Sequence, residues 1–240
     1  MIKDWHSQKP SSWRQFRTLL ARDLRQELHT RDMLSSMGVY AVLVLIIFGA
    51  TFSRSGLALD MLALAGGLLW ALIVFTSLLG LNRSFNAEKA DAALDGLLLI
   101  PMDRSVLFLA KACSNLIFLL VVEVVVCPLF YFFFLADSGL PLAAVWVGLP
   151  LLLGSIGMAG VGTLLATITS NAKGQDVLLA ILFIPLLFPL LYAVVTATSV
   201  AITGTIAESS AFLISVVLAG GYDLIMLAVC WLLYDYIVAN

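Results

Sequence analysis

The feature that most limits how this chain can fold is a series of long stretches almost free of charged residues. The stretch from Met33 to Phe52 contains no charge, and about 20 apolar residues in a helix are enough to cross a bilayer core of ~30 Å. Of all residues, 62% are hydrophobic and 12% are charged, whereas soluble domains carry about 25% charged residues. The sequence predicts an all-α integral membrane protein whose six transmembrane helices cover residues 33–52, 61–81, 106–135, 142–168, 177–196 and 212–236.

Residues 1–30 precede the first predicted span and carry too many charges for a signal peptide. Five apolar side chains recur there every three or four residues, which places them on one face of a helix. Arginines flank this face, so the pattern predicts an amphipathic helix lying on the anionic inner surface of a membrane. A helix that packs on a soluble partner fits the same pattern. The five apolar residues are Trp13, Phe16, Leu20, Leu24 and Leu28.

The distribution of basic residues indicates the orientation in the membrane. If the N-terminus is cytoplasmic, Arg54 is the single one of the 13 Lys and Arg residues on the outer side. Cytoplasmic segments of membrane proteins carry an excess of Lys and Arg. Both termini and the loop between the second and third spans are therefore predicted to be cytoplasmic, and the outer loops are too short to hold a soluble domain.

Three of the predicted spans contain residues that favour bending or close packing. The third span contains Glu123 and Pro128, which interrupt its apolar run. The fourth is rich in small residues, which let helices approach closely in lipid. The fifth contains Pro185 and Pro189, which predict a kink. Residues 196–210 are predicted to form a connection rich in Thr and Ser, for which a re-entrant path is one option.

A compact polar segment separates the second span from the third. Ser84 suits a helix N-cap and Gly96 suits a helix end, so a cytoplasmic helix is predicted over residues 84–97. Its acidic residues share one face, and Pro101 prevents the helix from continuing. A partner protein could bind this face, but a solvated connector fits the same spacing equally well. The acidic face consists of Glu88, Asp91 and Asp95, and Phe85 and Leu94 supply apolar surface.

The sequence shows no catalytic, nucleotide-binding or metal-binding motif. It lacks the G-x-x-x-x-G-K-[ST] motif that holds nucleotide phosphates, and no Ser/His/Asp or zinc-ligand arrangement is visible. His6 and His29 both lie in the N-terminal segment, and the three cysteines lie in apolar segments without metal-ligand spacing. We therefore expect a protein that is not an enzyme, that binds no metal or cofactor itself, and that has no nucleic-acid partner.

Two acidic residues lie near the middle of predicted spans. Glu123 belongs to the third span and Asp223 to the sixth, and a charge at the centre of a bilayer costs at least ~2.5 kcal/mol. Both side chains should therefore face the interior of the helix bundle or a wet cavity. They could line a path or gate helix movement. Alternatively, each could bond to a polar side chain of a neighbouring helix and only fix the packing.

The segment after the second span resembles a known family. The stretch EKADAALDGLLLIPMDRSVLFLAK is similar to the cytoplasmic loop and following helix start of the cytochrome c maturation protein B family. These are permease subunits of haem exporters, related to ABC-2 type transporters. The likeness extends over most of the chain, although residues 1–10 look like an extension and Ala92 stands where a glycine is common. The matching residues are Glu88, Lys89, Leu94, Asp95, Leu97, Leu98, Pro101, Arg104 and Lys111.

The resemblance implies an ABC-2-type permease of the bacterial inner membrane that works with a separate cytoplasmic ATPase, with two copies of each. It also implies a haem-handling membrane subunit, a small single-span subunit and a periplasmic haem chaperone as partners. ATP would bind to the ATPase, and its hydrolysis would be linked to release of the loaded chaperone, with haem handled by the complex. The loop helix would pass the motion of the ATPase into the spans. Its expected coupling residues are Ser84, Phe85, Glu88, Asp91, Leu94, Asp95 and Pro101.

Two other functions remain open at this point. A general ABC-2 export permease for a lipid or a drug would share the topology and the loop. A membrane scaffold that transports nothing would share the topology as well. A secondary transporter is disfavoured, because no inverted repeat is evident and interrupted helices are not paired between the two halves.

Overall fold

Six long apolar helices and one amphipathic helix make up the part of the chain that the structure, a computed structural model, describes. That part comprises residues 11–54, 61–90, 104–136, 143–170, 172–204 and 210–237. No strand occurs within these ranges, and the all-α prediction is confirmed. The helices are α1 Ser12–Thr30, α2 Asp32–Arg54, α3 Met61–Ala90, α4 Arg104–Phe134, α5 Ala143–Thr169, α6 Gln175–Thr203 and α7 Ser210–Ile237.

Helices α2 to α7 are each long and apolar enough to cross a membrane. The six predicted spans are therefore confirmed in number and order, since length and hydropathy are properties of each segment alone. The segments that meet the criterion are Asp32–Thr51, Leu64–Ser84, Ser105–Phe134, Trp146–Thr169, Gln175–Thr203 and Ser210–Tyr234.

Two local predictions are wrong, because helices continue past residues that often end them. α3 runs without a break past Ser84, which therefore lies inside a helix and does not cap a new one. α4, by contrast, continues through both Glu123 and Pro128 as one helix, as predicted for the third span. α6 continues to Thr203, so the first part of the predicted 196–210 connection is helical. Most helical stability in proteins comes from packing against neighbours, which here outweighs the local signals.

α5 is the central helix of the bundle, and α3, α4, α6 and α7 all pack against it. Its glycines make these close contacts possible. The Trp70 ring of α3 occupies the space that a side chain at Gly154 would need, and Leu227 of α7 does the same at Gly160. α2 packs on α3 and α4, and α1 packs mainly on α4. The small residues of the fourth predicted span thus let α3, α6 and α7 approach α5 closely.

α6 keeps its helical course through Pro185 and Pro189. Because Pro189 has no N–H group, the carbonyl of Pro185, four residues earlier, has no helical donor. The next carbonyl along, that of Leu186, accepts a hydrogen bond of 2.8 Å from the hydroxyl group of Tyr222 on α7. The hydroxyl group of α7 therefore bonds to α6 directly beside the carbonyl that Pro189 leaves without a helical donor.

α1 meets α2 at a tight corner formed by Arg31. This residue adopts a left-handed backbone conformation with φ of 57°, and its N–H group donates to the carbonyl of Glu27 at 2.7 Å. The Glu27 carboxylate in turn accepts a hydrogen bond from the N–H group of Leu34 at 2.7 Å. That bond satisfies one of the N–H groups that the first turn of a helix leaves without an internal partner. α1 is therefore fixed directly to the start of α2.

α1 packs on the bundle through a face that overlaps the predicted apolar one. Gln15, Leu19 and Glu27 are its buried residues, spaced four and eight residues apart along one side of the helix. Trp13 and Leu28, at the two ends of the predicted apolar stripe, are 68% and 66% exposed. Phe16 and Leu24, within the stripe, pack against the core of the bundle. The two ends of the stripe are thus left available for the membrane surface, the position that an amphipathic helix favours.

Candidate functional site

Two side-chain hydrogen bonds join α4 to α5 inside the bundle. Ser155 Oγ donates to Glu123 Oε1 at 2.6 Å, and Asn115 Nδ2 donates to Thr163 Oγ1 at 2.9 Å. All four side chains are buried. From Asn115 to Glu123, α4 advances by about two turns, while their partners on α5 run backwards from Thr163 to Ser155 by the same distance. α4 and α5 are therefore antiparallel. Glu123, a predicted site residue, thus has the kind of hydroxyl partner that a packing role would require.

Asp223 of α7 has a different environment. Its side chain is buried, and neither carboxylate oxygen has a hydrogen-bond partner among the described residues. It lies against Gly157 of α5, where an added Cβ would overlap both Asp223 Oδ1 and the side chain of Leu190 from α6. A buried polar group without a partner destabilises a fold by about 1–3 kcal/mol. The packing of the bundle therefore does not account for Asp223, which makes it a candidate functional group.

The two predicted intramembrane acids do not form a pair. Glu123 bonds to Ser155 and Asp223 contacts Gly157, and positions two apart on a helix point in directions about 200° apart. The two acids therefore lie on opposite sides of α5 at a similar height in the bundle. A movement of α5 relative to its neighbours would affect both acids, whereas proton exchange directly between them would have to pass around the helix.

A second polar cluster lies where α1 packs on α4. Lys111 Nζ is 3.3 Å from Asp23 Oδ2, and Ser114 Oγ donates to the same oxygen at 3.4 Å. Arg22 Nη2 lies 3.0 Å from the other carboxylate oxygen. The side chains of Lys111 and Asp23 are only 6% and 9% exposed, whereas that of Arg22 is 36% exposed. The Lys111–Asp23 ion pair is thus largely shielded from solvent.

A cavity of about 220 Å³ lies beside this ion pair, among α1, α2, α4 and the C-terminal part of α3. Its lining includes five ionisable side chains, which makes it far more polar than the apolar spans around it. These are Asp23, Glu27, Asp32, Arg83 and Lys111.

The sequence alone does not reveal this cluster, because Lys111 stands out there only as a basic charge and as a residue of the family resemblance. A lysine a short way into the apolar run of α4 was the available signal, since a buried charge requires a partner.

The structure describes only part of the predicted coupling segment. Ser84 lines the polar cavity, while Phe85 and Glu88 lie on the last turns of α3. The other predicted coupling residues fall outside the described residues, and their shared helical face stays a prediction. These residues are Asp91, Leu94, Asp95 and Pro101.

Within the described residues, no group of three or more His, Cys, Asp and Glu side chains could hold a metal ion. His29 lies in the last turn of α1 and is exposed. The cysteines Cys113, Cys127 and Cys230 are free thiols within the spans. The polar groups that the structure brings together join one helix to another, through the α4–α5 bonds and the Lys111–Asp23 pair.

The sequence of this chain is similar to those of known proteins. The family model described as CcmB protein matches residues 14–231. A protein of Pseudomonas aeruginosa named Heme exporter protein B is 29% identical over 177 residues, which cover 73% of this chain and 77% of the relative. A protein of the same name from Rhodobacter capsulatus is 31% identical over 176 residues, covering 73% and 78%. The family match extends from α1 into the last turns of α7 and includes every polar contact described above.

Proposed function

This chain belongs to the CcmB protein family, and we propose that it is the membrane-spanning subunit of a haem export complex that serves cytochrome c biogenesis. The observation that carries the proposal is the family match over residues 14–231, together with two relatives named Heme exporter protein B. The six candidate spans suit the membrane-spanning subunit of such a complex. The proposed location is the bacterial inner membrane, with both termini in the cytoplasm.

The proposed energy source is a separate cytoplasmic ATPase, because this chain contains no phosphate-binding motif of its own. In this proposal the ATPase binds the segment between α3 and α4, where Glu88, Asp91 and Asp95 would form its acidic docking face. The continuation of α3 to Ala90 supports the proposal, since the helix passes Ser84, where its apolar segment ends. A helix that continues beyond its apolar segment in this way could carry a push from a bound ATPase into the span of α3.

The role proposed for this chain is mechanical. The α4–α5 hydrogen bonds would make these two helices move together, and α5 would pass the movement to α6 and α7, which pack on it. Haem itself would be handled by partner chains: a haem-handling membrane subunit, a small single-span subunit and a periplasmic haem chaperone. Release of the loaded chaperone would follow ATP hydrolysis, with two copies of this chain in each complex.

Two alternatives predict different partners. A general ABC-2 export permease for another substrate would bind an ATPase but no haem-handling subunit. A membrane scaffold without transport activity would bind neither an ATPase nor a transported molecule. The family match favours the haem export complex over both.

Co-purification distinguishes the three possibilities. The chain, tagged at its C-terminus, is expressed at native level in its own host, and the proteins that remain bound in mild detergent are identified by mass spectrometry. We expect both an ATPase and a haem-handling membrane subunit. An ATPase alone would support the general permease, and the absence of both would support the scaffold. An unrelated six-span membrane protein carrying the same tag is the control for non-specific binding.

A further inference from the structure

The interfacial helix α1 is attached to the bundle at two places of different chemistry. At its C-terminal end, Arg31 and the Glu27 carboxylate fix it to the first turn of α2. In its middle, Asp23 reaches α4 and forms the shielded ion pair with Lys111. α1 therefore bridges α2 and α4.

The contact with α4 is specific. Lys111 and Ser114 are one turn apart on α4, and both reach the same carboxylate oxygen of Asp23. Lys111 is the main donor, because the single hydroxyl proton of Ser114 has the Ala110 carbonyl at 2.9 Å, closer than Asp23 at 3.4 Å. The two side chains together place Asp23, and with it α1, at one position along α4. Both charged side chains are largely shielded from solvent, so replacing either one with a neutral residue removes part of the other's charge compensation where water screens little. The contact is thus much harder to break than a surface ion pair.

The Lys111–Asp23 ion pair lies close to both ends of the segment between α3 and α4. Lys111 lies about two turns into α4, which begins at Arg104 directly after that segment. Arg83 and Ser84 of α3, just before the segment, line the same polar cavity as Lys111 and Asp23. A displacement of the segment would thus reach the ion pair through the helices on both sides of it.

We propose that Asp23, Lys111 and Ser114 form a buried ionic tether that makes α1 a moving part of the protein, so that α1 follows α4 and does not rest passively on the membrane surface. Asp23 and Lys111 act as positioning residues in this role. The consequence for transport rests on the proposed function: the ATPase would move α1 together with α4. The tether itself is a property of this chain, and it can be tested without the ATPase.

Distance measurements between spin labels test the tether directly. Labels are placed at Thr18 on α1 and at Leu109 on α4, both exposed, in full-length protein in lipid nanodiscs with Cys113, Cys127 and Cys230 changed to alanine. A second pair, at Leu109 and Ile181 of α6, reports on the bundle. We expect a narrow α1–α4 distribution in the parent protein. In Asp23→Asn and in Lys111→Met it should broaden, while the α4–α6 distribution is unchanged.

Two further variants serve as controls. Arg25→Gln removes an exposed charge of α1 and should leave both distributions unchanged. The reversed pair Asp23→Lys with Lys111→Asp should restore the narrow α1–α4 distribution when Arg22 is changed to Gln, since Arg22 would otherwise lie beside the new lysine. An α1–α4 distribution that stays narrow in both single variants overturns the proposal. So does broadening of the α4–α6 distances in both, because the pair would then hold the bundle and not α1.

The consequence for transport has its own measurement. In the reconstituted complex, Asp23→Asn should reduce cytochrome c matured per ATP hydrolysed several-fold while the ATPase still co-purifies, and the reversed pair should recover it. Unchanged maturation together with a broadened α1–α4 distance would limit the tether to a structural role and overturn the transport consequence. If no ATPase binds to the parent protein, the proposed function fails, and the distance measurements still decide whether the tether exists.

Discussion

Asp223 on α7 lies directly against Gly157 on α5, in a space that closes as soon as residue 157 carries a side chain. The carboxylate is buried and has no hydrogen-bond partner among the described residues. A glycine on the central helix thus creates the room for an acid that does not stabilise the bundle. Glu123, on the other side of α5, is instead bonded to Ser155. This contrast gives the two intramembrane acids different expected behaviour.

We expect Gly157→Ala to push α5 and α7 apart, because the new methyl group would overlap Asp223 and Leu190. Overpacking of this kind costs about 1–3 kcal/mol. The measurement is thermal unfolding of purified protein in detergent, followed by size-exclusion chromatography of the heated sample. Gly148→Ala is the matched control, since it lies on the same helix with no heavy atom near the new Cβ. Equal unfolding temperatures for the two variants would contradict the contact described here.

For Glu123, we expect the Gln variant to fold and to support cytochrome c maturation nearly normally, because an amide oxygen can still accept the Ser155 hydrogen bond. Glu123→Leu should lower the expression level, since a bond of this kind within a membrane protein contributes about 0.6 kcal/mol and at most ~1.7. Expression is measured by quantitative blotting, and maturation by haem staining of cytochrome c. Normal expression with strongly reduced maturation in the Glu123→Gln variant would instead assign a role to the ionisable group.

Asp223→Asn applies the same test to the intramembrane acid of α7. Reduced maturation at normal expression would assign a function to the Asp223 carboxyl group.

Tyr222→Phe should weaken the support of α6 at its prolines. The ring remains in place, but the carbonyl of Leu186 loses the donor that lies 2.8 Å away. A fall in stability of about 0.6–1.7 kcal/mol is expected from interhelical bonds of this type. Thermal unfolding measures it, with Tyr192→Phe as control, because Tyr192 lies on α6 and is 67% exposed. If the two variants unfold alike, the Tyr222 hydroxyl has no role in holding α6.

The proposed orientation can be tested with a reporter enzyme that is active only in the periplasm. Fusions after Arg54, Ser138 or Thr203 should be active, because those positions are on the predicted outer side. Fusions after Lys173 or Asn240 should be inactive, since the basic residues favour the cytoplasm. The decisive fusion is the one after Lys89, which should also be inactive. Activity there would place the segment between α3 and α4 outside and would remove the basis for its binding an ATPase.

The double reversal Asp91→Lys with Asp95→Lys should weaken binding of the ATPase. Removal of one partner from a desolvated charge pair at an interface costs about 2–5 kcal/mol, and each 1.4 kcal/mol is a tenfold change in affinity. The variant should still insert and fold, because the changes lie outside the predicted spans. Co-purification of the ATPase and cytochrome c matured per ATP hydrolysed are the two measurements, with Asp4→Lys as control. Wild-type values in both would mean that the acidic face is only solvated surface.

The start of the predicted cytoplasmic helix could not be located from residue preferences alone. Ser84 is a good N-cap by residue type, yet the helix that contains it began far upstream at Met61. A cap preference contributes only ~1 kcal/mol, and an established helix that packs on its neighbours can run through it. The prolines of α6 are a similar case. Their positions predicted a kink, but the hydroxyl group that bonds to the backbone beside them comes from Tyr222 on another helix.

The sequence by itself determined the all-α class, the six spans and the family, because hydropathy, length and motif are properties of segments read one at a time. The three-dimensional structure alone decided which polar groups meet. Ser114 and Asp23 are 91 positions apart in the chain, and nothing local to either residue indicates the other. Likewise, the fit of Asp223 against Gly157 becomes apparent only when α5 and α7 lie side by side. In a membrane interior, where polar groups must find partners within the protein, those long-range meetings fix how the spans pack.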